Sequence, residues 1–245
     1  KVMNIFDIPA FTDNYIWAIQ IDDSITVIDP GDSKPVLNIL EEKKLKLQDI
    51  LITHHHYDHT GGLLELKNYI SGKVYGPKNQ NIDGIDVSLA ENDLMETLGY
   101  EFRVIETPGH TLDHIAFYSQ QTDVLFCGDT LFSAGCGRLF EGTYDQLHDS
   151  IQKINELPGQ TKIYCGHEYT LSNLEFVKSQ ISSEIVEQKY LETLDRRANN
   201  QITLPSTLET ERKINPFLLE TVPNDIKDLK EVDCFKELRI RKDNF

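Results

Sequence analysis

A short apolar run, QDILIT (48–53), leads straight into HHHYDHTGG, so that four histidines and an aspartate occupy the six positions 54–59. Buried imidazoles and carboxylates are costly unless they are hydrogen-bonded or coordinate a metal. The β-branched and leucine residues before them read as an interior strand. A chain that tolerates this must deliver a ligand-rich loop to the end of a buried strand. On such a loop His54 and His56 point one way, and Asp58 and His59 reach a neighbouring point, while His55 points away. Neutral imidazole nitrogens and carboxylate oxygens are the donors that zinc and first-row transition metals prefer. The spacing H-x-H-x-D-H therefore predicts ligands for two metals a short distance apart.

One loop does not close two coordination spheres, so further donors are expected at other strand ends. His110 follows FRVI in ETPGHT, Asp129 follows DVLF in FCGDT, and His167 follows TKIY in YCGHEYT. Each stands next to a glycine, which lets backbone pass close to a crowded centre. With the loop they make seven donors, enough for two sites that share one carboxylate. A metal pair of this kind serves hydrolysis, because it lowers the pKa of bound water to about 7 and polarises a carbonyl. Asp29, at another strand end, is a candidate to orient a ligating histidine through its second nitrogen.

Other chemistries fail on spacing. HEYTL (167–171) has Leu171 where a zincin helix needs its second histidine, and there is no P-loop, no G-x-S-x-G and no dinucleotide fingerprint in GCGRLFEG (135–142). The four cysteines, Cys127, Cys136, Cys165 and Cys234, show no C-x-x-C spacing and are expected to be reduced thiols.

The chain opens as β-β-α-β: NYIWAIQID (14–22), SITVIDP (24–30), PVLNILEEKKL (35–45) and QDILIT. A helix is expected over 61–70, strands over 73–76, 100–109, 114–120, 123–132 and 161–170, and an amphipathic helix over 143–159. After about Leu171 the pattern turns helical. Residues 1–170 are thus expected to form an α/β metal-binding domain and 171–245 a helical domain that completes the site.

The net charge of −16 argues against nucleic acid or an anionic membrane as partner, so any anionic substrate requires a local basic patch. No apolar stretch reaches the length of a membrane span, and KVMNIFDIPAF lacks a signal-peptide pattern. A cytoplasmic monomer acting on a small molecule is expected.

THHHYDH, His110, Asp129 and His167 resemble the metallo-β-lactamase superfamily, and the resemblance narrows to the glyoxalase II (hydroxyacylglutathione hydrolase) family through FTDNYIW (11–17), GCGRLFEGT (135–143), GHEYT (166–170), ERKINPF (211–217) and RIRKDNF (239–245). The resemblance implies a four-layered α/β/β/α sandwich with a C-terminal helical domain. It implies that His54, His56 and His110 hold one divalent metal and Asp58, His59 and His167 the other, with Asp129 bridging. Zinc is the expected metal, with iron and manganese as alternatives. The implied reaction is hydrolysis of S-D-lactoylglutathione to glutathione and D-lactate, a step of methylglyoxal detoxification, by a hydroxide held between the metals next to Asp58 and Asp129. Arg138, Phe140, Tyr169, Arg239 and Lys242 match substrate-binding positions of the family; Arg239 and Lys242, three apart on one helix face, would hold a glutathione carboxylate. Another superfamily hydrolase or a persulfide dioxygenase is the alternative. A closed structural zinc site would more often be rich in cysteine.

Overall fold

The computed structural model describes residues 1–245. The chain divides into two compact units, Lys1–Glu106 with Asp113–Gly128, and Thr107–Leu112 with Asp129–Phe245.

The first unit begins with three antiparallel strands, β1 (Asn4–Ala10), β2 (Asn14–Ile21) and β3 (Ser24–Ile28). Helix α1 (Ser33–Lys43) then crosses over to β4 (Lys46–Leu51), which pairs parallel with β3. Asp32 caps α1 by accepting a hydrogen bond from the Lys34 N–H, and Lys44 ends it in the left-handed region at φ 52°. Two single-turn helices follow, α2 (Tyr57–Thr60) and α3 (Leu63–Leu66), before β5 (Val74–Pro77) and β6 (Val87–Leu89) complete a sheet in the order β1 to β6. The helix expected over 61–70 is shortened to α3. The Ser71 N–H donates to the Leu47 carbonyl and Ile70 bridges to Leu47, which draws the chain into extended pairing.

Strands β7 (Leu94–Thr97), β8 (Tyr100–Glu106), β9 (Ile115–Ser119) and β10 (Val124–Gly128) form an antiparallel run. The strand expected over 123–132 breaks at Gly128, which adopts φ 51°. Inside this unit, a buried chain of side chains ties β3, β4 and β7: Thr26 Oγ1 is 2.6 Å from Thr97 Oγ1, which donates to Asp49 at 2.7 Å. Ile16, Ala18, Ile25, Val27, Val36, Leu47, Ile50 and Ile52 belong to one apolar core of this unit. Each fully buried Ile, Leu or Val among them contributes about 1.5–3 kcal/mol. This core packs β4 (Lys46–Leu51) nearly to its last residue, three positions before His54.

The second unit starts with a small hairpin, β11 (Leu131–Phe132) and β12 (Gly135–Cys136). Helix α4 (Tyr144–Asn155) carries a capping box between Thr143 and Gln146 and ends before Pro158. Strand β13 (Lys162–Cys165) leads to α5 (Thr170–Gln180) and α6 (Glu184–Ala198); β14 (Ser206–Thr207), antiparallel to β13, leads to α7 (Leu208–Ile214), a 3-10 turn (Pro216–Leu218) and α8 (Glu231–Asp243). Leu174, Val177, Val186 and Ile214 pack as one cluster, and the rings of Phe217 and Phe235 meet edge to face at 5.7 Å.

Candidate metal centre

Each predicted metal-binding residue stands just beyond the C-terminal end of a strand: His54, His56, Asp58 and His59 after β4, His110 after β8, Asp129 after β10 and His167 after β13. The loop after β4 is tightly held. The Ile115 N–H donates to the Thr53 carbonyl at 2.9 Å, and the His54 ring stacks on His114 at 4.7 Å. Gly31 is required here, because a Cβ at that position would overlap the Asp58 carbonyl oxygen.

The histidines are oriented from behind. Asp29 accepts from the Thr53 N–H at 2.7 Å and the Thr53 hydroxyl at 2.6 Å, and its Oδ2 lies 2.8 Å from His59 Nδ1. The Thr53 hydroxyl is also 2.8 Å from His54 Nδ1. Two ligand-type histidines are thereby oriented through one carboxylate. Asp29 has φ 55°, a left-handed conformation rare for a residue with a side chain, as is common where geometry at a site is over-determined. Asn14 Nδ2 donates to Asp58 Oδ2 at 2.9 Å, and Asp58 Oδ2 is 3.2 Å from His59 Nε2.

In the second unit, Asp129 Oδ2 lies 3.4 Å from His110 Nε2 and 3.2 Å from His167 Nε2. His110 Nδ1 faces the Arg138 carbonyl at 2.8 Å, which fixes its tautomer and ring plane. A Cβ at Gly137 would overlap the Asp129 carbonyl, so the hairpin passes close only because that residue is glycine.

Within the first unit the donor atoms of Asp29, His54 and His59 lie within 4.8 Å of one another, and within the second Asp129 Oδ2 approaches both His110 and His167. Nitrogen and oxygen donors of this kind, with His54, His59 and His110 held from behind, suit divalent transition-metal ions. His55 is half-buried, and its ring is turned edge-on to His56 at 5.0 Å.

The remaining predicted residues surround His110 and His167. The Tyr169 ring stacks on His167 at 4.7 Å, and the Phe140 ring meets His110 edge-on at 5.2 Å while staying exposed. Arg138 is exposed and Lys242 half-buried. Burial first, then the like charges of Arg239 and Arg138, hold the Lys242 ammonium below the usual lysine range. Arg239 is placed differently. It is 2% exposed, donates to the Cys136 carbonyl at 2.8 Å and to Asp243 at 2.8 Å, and lies over the Phe217 ring. Its guanidinium serves the scaffold that carries Arg138.

Sequence reasoning missed Asn14 and His114. Asn14 was legible only as a polar residue at the start of an apolar strand, and His114 as a lone histidine opening HIAFYS. Neither pattern identifies a partner, because each partner is brought close only by folding.

Residues 10–167 match the model of the Metallo-beta-lactamase superfamily, and residues 168–245 match that of the Hydroxyacylglutathione hydrolase C-terminus. Among solved structures, ETHE1 from Myxococcus xanthus superposes with a TM-score of 0.66 at 22% identity over 100% of both chains. TTHA1623 in a di-iron-bound form superposes with a TM-score of 0.63 at 23% identity, over 87% of this chain and 100% of that one. These likenesses establish the α/β sandwich of the superfamily as the fold. In sequence, the hydroxyacylglutathione hydrolase of Pseudomonas savastanoi pv. phaseolicola is 46% identical over 260 aligned residues, covering 100% of each chain. That of Photobacterium profundum is 46% identical over 254, again covering 100% of each. The chain belongs to the metallo-β-lactamase superfamily and, within it, to the hydroxyacylglutathione hydrolase family.

Proposed function

We propose that the protein hydrolyses S-D-lactoylglutathione to glutathione and D-lactate in methylglyoxal detoxification, as a cytoplasmic monomer loaded with two zinc ions. The observation that carries the reading is the similarity over the full length to hydroxyacylglutathione hydrolases, in a chain whose Asp129 Oδ2 approaches both His110 and His167. In this reading His54, His56 and His110 would hold one ion, Asp58, His59 and His167 the other, and Asp129 both; such ions would supply a water of pKa about 7 and polarisation of the thioester carbonyl.

The chain's own residues do the rest. Asp58, held by Asn14, orients the attacking water and takes up its proton, which then passes to the leaving glutathione thiolate; Asp129 stays a ligand. Tyr169 and Phe140 wall the thioester beside the two histidines on which they pack. Arg138 and Lys242 supply positive charge for the carboxylates of glutathione, the local basic patch that a chain of net charge −16 requires. Arg239 acts through the Cys136 carbonyl, upstream of Arg138. The helical segment 171–245, through α8, is the substrate-binding part. The alternative, another superfamily hydrolase or a persulfide dioxygenase, is supported only by fold likeness at 22% identity.

The test is release of free thiol from S-D-lactoylglutathione by metal-replete protein, paired with metal analysis. A replete sample that releases no thiol would sink the proposal. Lys242 adds a pH prediction. Its ammonium is lost at a lower pH than that of an ordinary lysine, so KM should climb as pH rises through that lowered value and stay flat below it. Lys242→Arg should keep KM low to higher pH, because a guanidinium stays charged. Identical KM profiles in both proteins would remove Lys242 from carboxylate binding.

A further inference from the structure

The turn joining β11 to β12 is buried: Phe132 is 4%, Ser133 2% and Ala134 1% exposed. Backbone groups hidden this way need partners, and a two-strand hairpin supplies few of its own. Three side chains from elsewhere in the second unit supply them. Asn215 Nδ2 donates to the Phe132 and Gly135 carbonyls at 3.1 and 3.0 Å, and Asn173 Nδ2 donates to the Ser133 carbonyl at 3.1 Å. The Ala134 N–H and the Ser133 hydroxyl donate to Glu211 at 2.7 and 2.9 Å.

Glu211 is the hub. It is fully buried, and the Ser206 hydroxyl at 2.5 Å and Asn215 Nδ2 at 3.2 Å complete a set of donors around its two oxygens. Burial pushes its carboxyl up, and these donors pull it back. Ala134 sits at φ 59°, a left-handed conformation that the hydrogen bond from its N–H to Glu211 helps to hold. An apolar residue at 211 would leave several of these groups unpaired in the core.

The hairpin's two ends are the residues that matter. Asp129 precedes Leu131 by two positions, and Arg138 follows Cys136 by two. The Gly137 N–H donates to the Thr130 carbonyl at 3.1 Å, closing the hairpin beneath them, and the Arg138 carbonyl faces His110 Nδ1. A shift of the turn is therefore transmitted to a metal-site carboxylate at one end and to a cation and a histidine orienter at the other.

We propose that Glu211 is a positioning residue: with Asn173 and Asn215 it locks the register of the β11–β12 hairpin, and so sets Asp129 for metal binding and Arg138 for the substrate. The metal arm rests only on the donor groups; the substrate arm rests on the function proposed above. The experiment compares Glu211→Gln with Asp49→Asn, which alters an equally interior carboxylate that accepts from Thr97 and the Lys73 N–H in the first unit. Zinc affinity is read by chelator competition, with thermal midpoint and the kcat and KM for S-D-lactoylglutathione measured on the same samples.

Glu211→Gln is expected to lose roughly tenfold in zinc affinity, the low end of what residues bonded directly to a metal ligand carry, and to raise KM. Asp49→Asn should lower the midpoint with zinc affinity and KM unchanged. A Glu211→Gln protein that keeps wild-type zinc affinity and KM, whatever its midpoint, overturns the proposal. Should that variant fail to fold, Ser133→Ala, which removes one bond to Glu211, is judged by the same two readouts. If zinc affinity falls but the wild type hydrolyses no glutathione thioester, the positioning role stands and the functional reading fails.

Discussion

Asp129→Ala is expected to lose metal and at least about a hundredfold in kcat together, since even outer partners of a metal centre carry effects of that size. Asp129 Oδ2 approaches both His110 and His167, and the proposal has it hold both ions. The carboxylate is 5% exposed at the end of β10, and truncation leaves two imidazoles facing a gap rather than a charge. Metal analysis after dialysis, with kcat on the thioester, checks both halves. Asp129→Asn keeps the volume and one acceptor oxygen, so it should retain more metal than the alanine variant. Full occupancy and full kcat in Asp129→Ala would refute the shared role.

The second large effect concerns Arg239. On sequence grounds, removing the tail from Arg239 onward should mainly raise KM. The structure adds a stability term. The guanidinium is buried, donates to the Cys136 carbonyl and packs on Phe217, so Arg239→Ala leaves a buried acceptor unpaired at a cost of about 1–3 kcal/mol. For a chain of this size that lowers Tm by roughly 2–4 °C per kcal/mol. KM should rise as well, because Cys136 is two residues from Arg138. Arg239→Lys should recover little, since an ammonium cannot reproduce a fork that serves the Cys136 carbonyl and Asp243 at once. An unchanged Tm with a raised KM would place the guanidinium on the substrate instead.

The candidate donors were legible because metal-ligand chemistry leaves local marks. The spacing of the loop after β4, and a ligand-type residue beside glycine after β8, β10 and β13, can be read without knowing what lies opposite. The framework of apolar strands was legible for the same reason, since period and flanking glycines or prolines are short-range signals. Strand β1 was not read as a strand, because NIFDIPA mixes polar and proline residues and is stabilised by its pairing with β2. Residues 225–229 likewise have helical composition, but Lys230 leaves the helical region at ψ 150° and α8 begins at Glu231.

Glu211 shows the limit most clearly. In the sequence it is one acid in TLETERKINPF, on the apolar side of a short helix between Leu208 and Ile214. Only the fold brings Ser133, Ala134, Ser206 and Asn215 around it. Arg239 is the mirror case: its helical spacing with Lys242 pointed to one shared anion, while packing turned the guanidinium inward and left Lys242 half-buried.

By itself the sequence determined the donor types, their places at strand ends and the acidity that calls for a local cationic patch, because these follow from residue chemistry and short-range spacing. The tertiary structure decided that Asp129 faces His110 and His167, that Asp29 and Thr53 meet His54 and His59, and that Glu211 and Arg239 are buried against the β11–β12 hairpin. Those assignments depend on hydrogen bonds between residues far apart in the chain, and such bonds are specified by packing rather than by any local pattern.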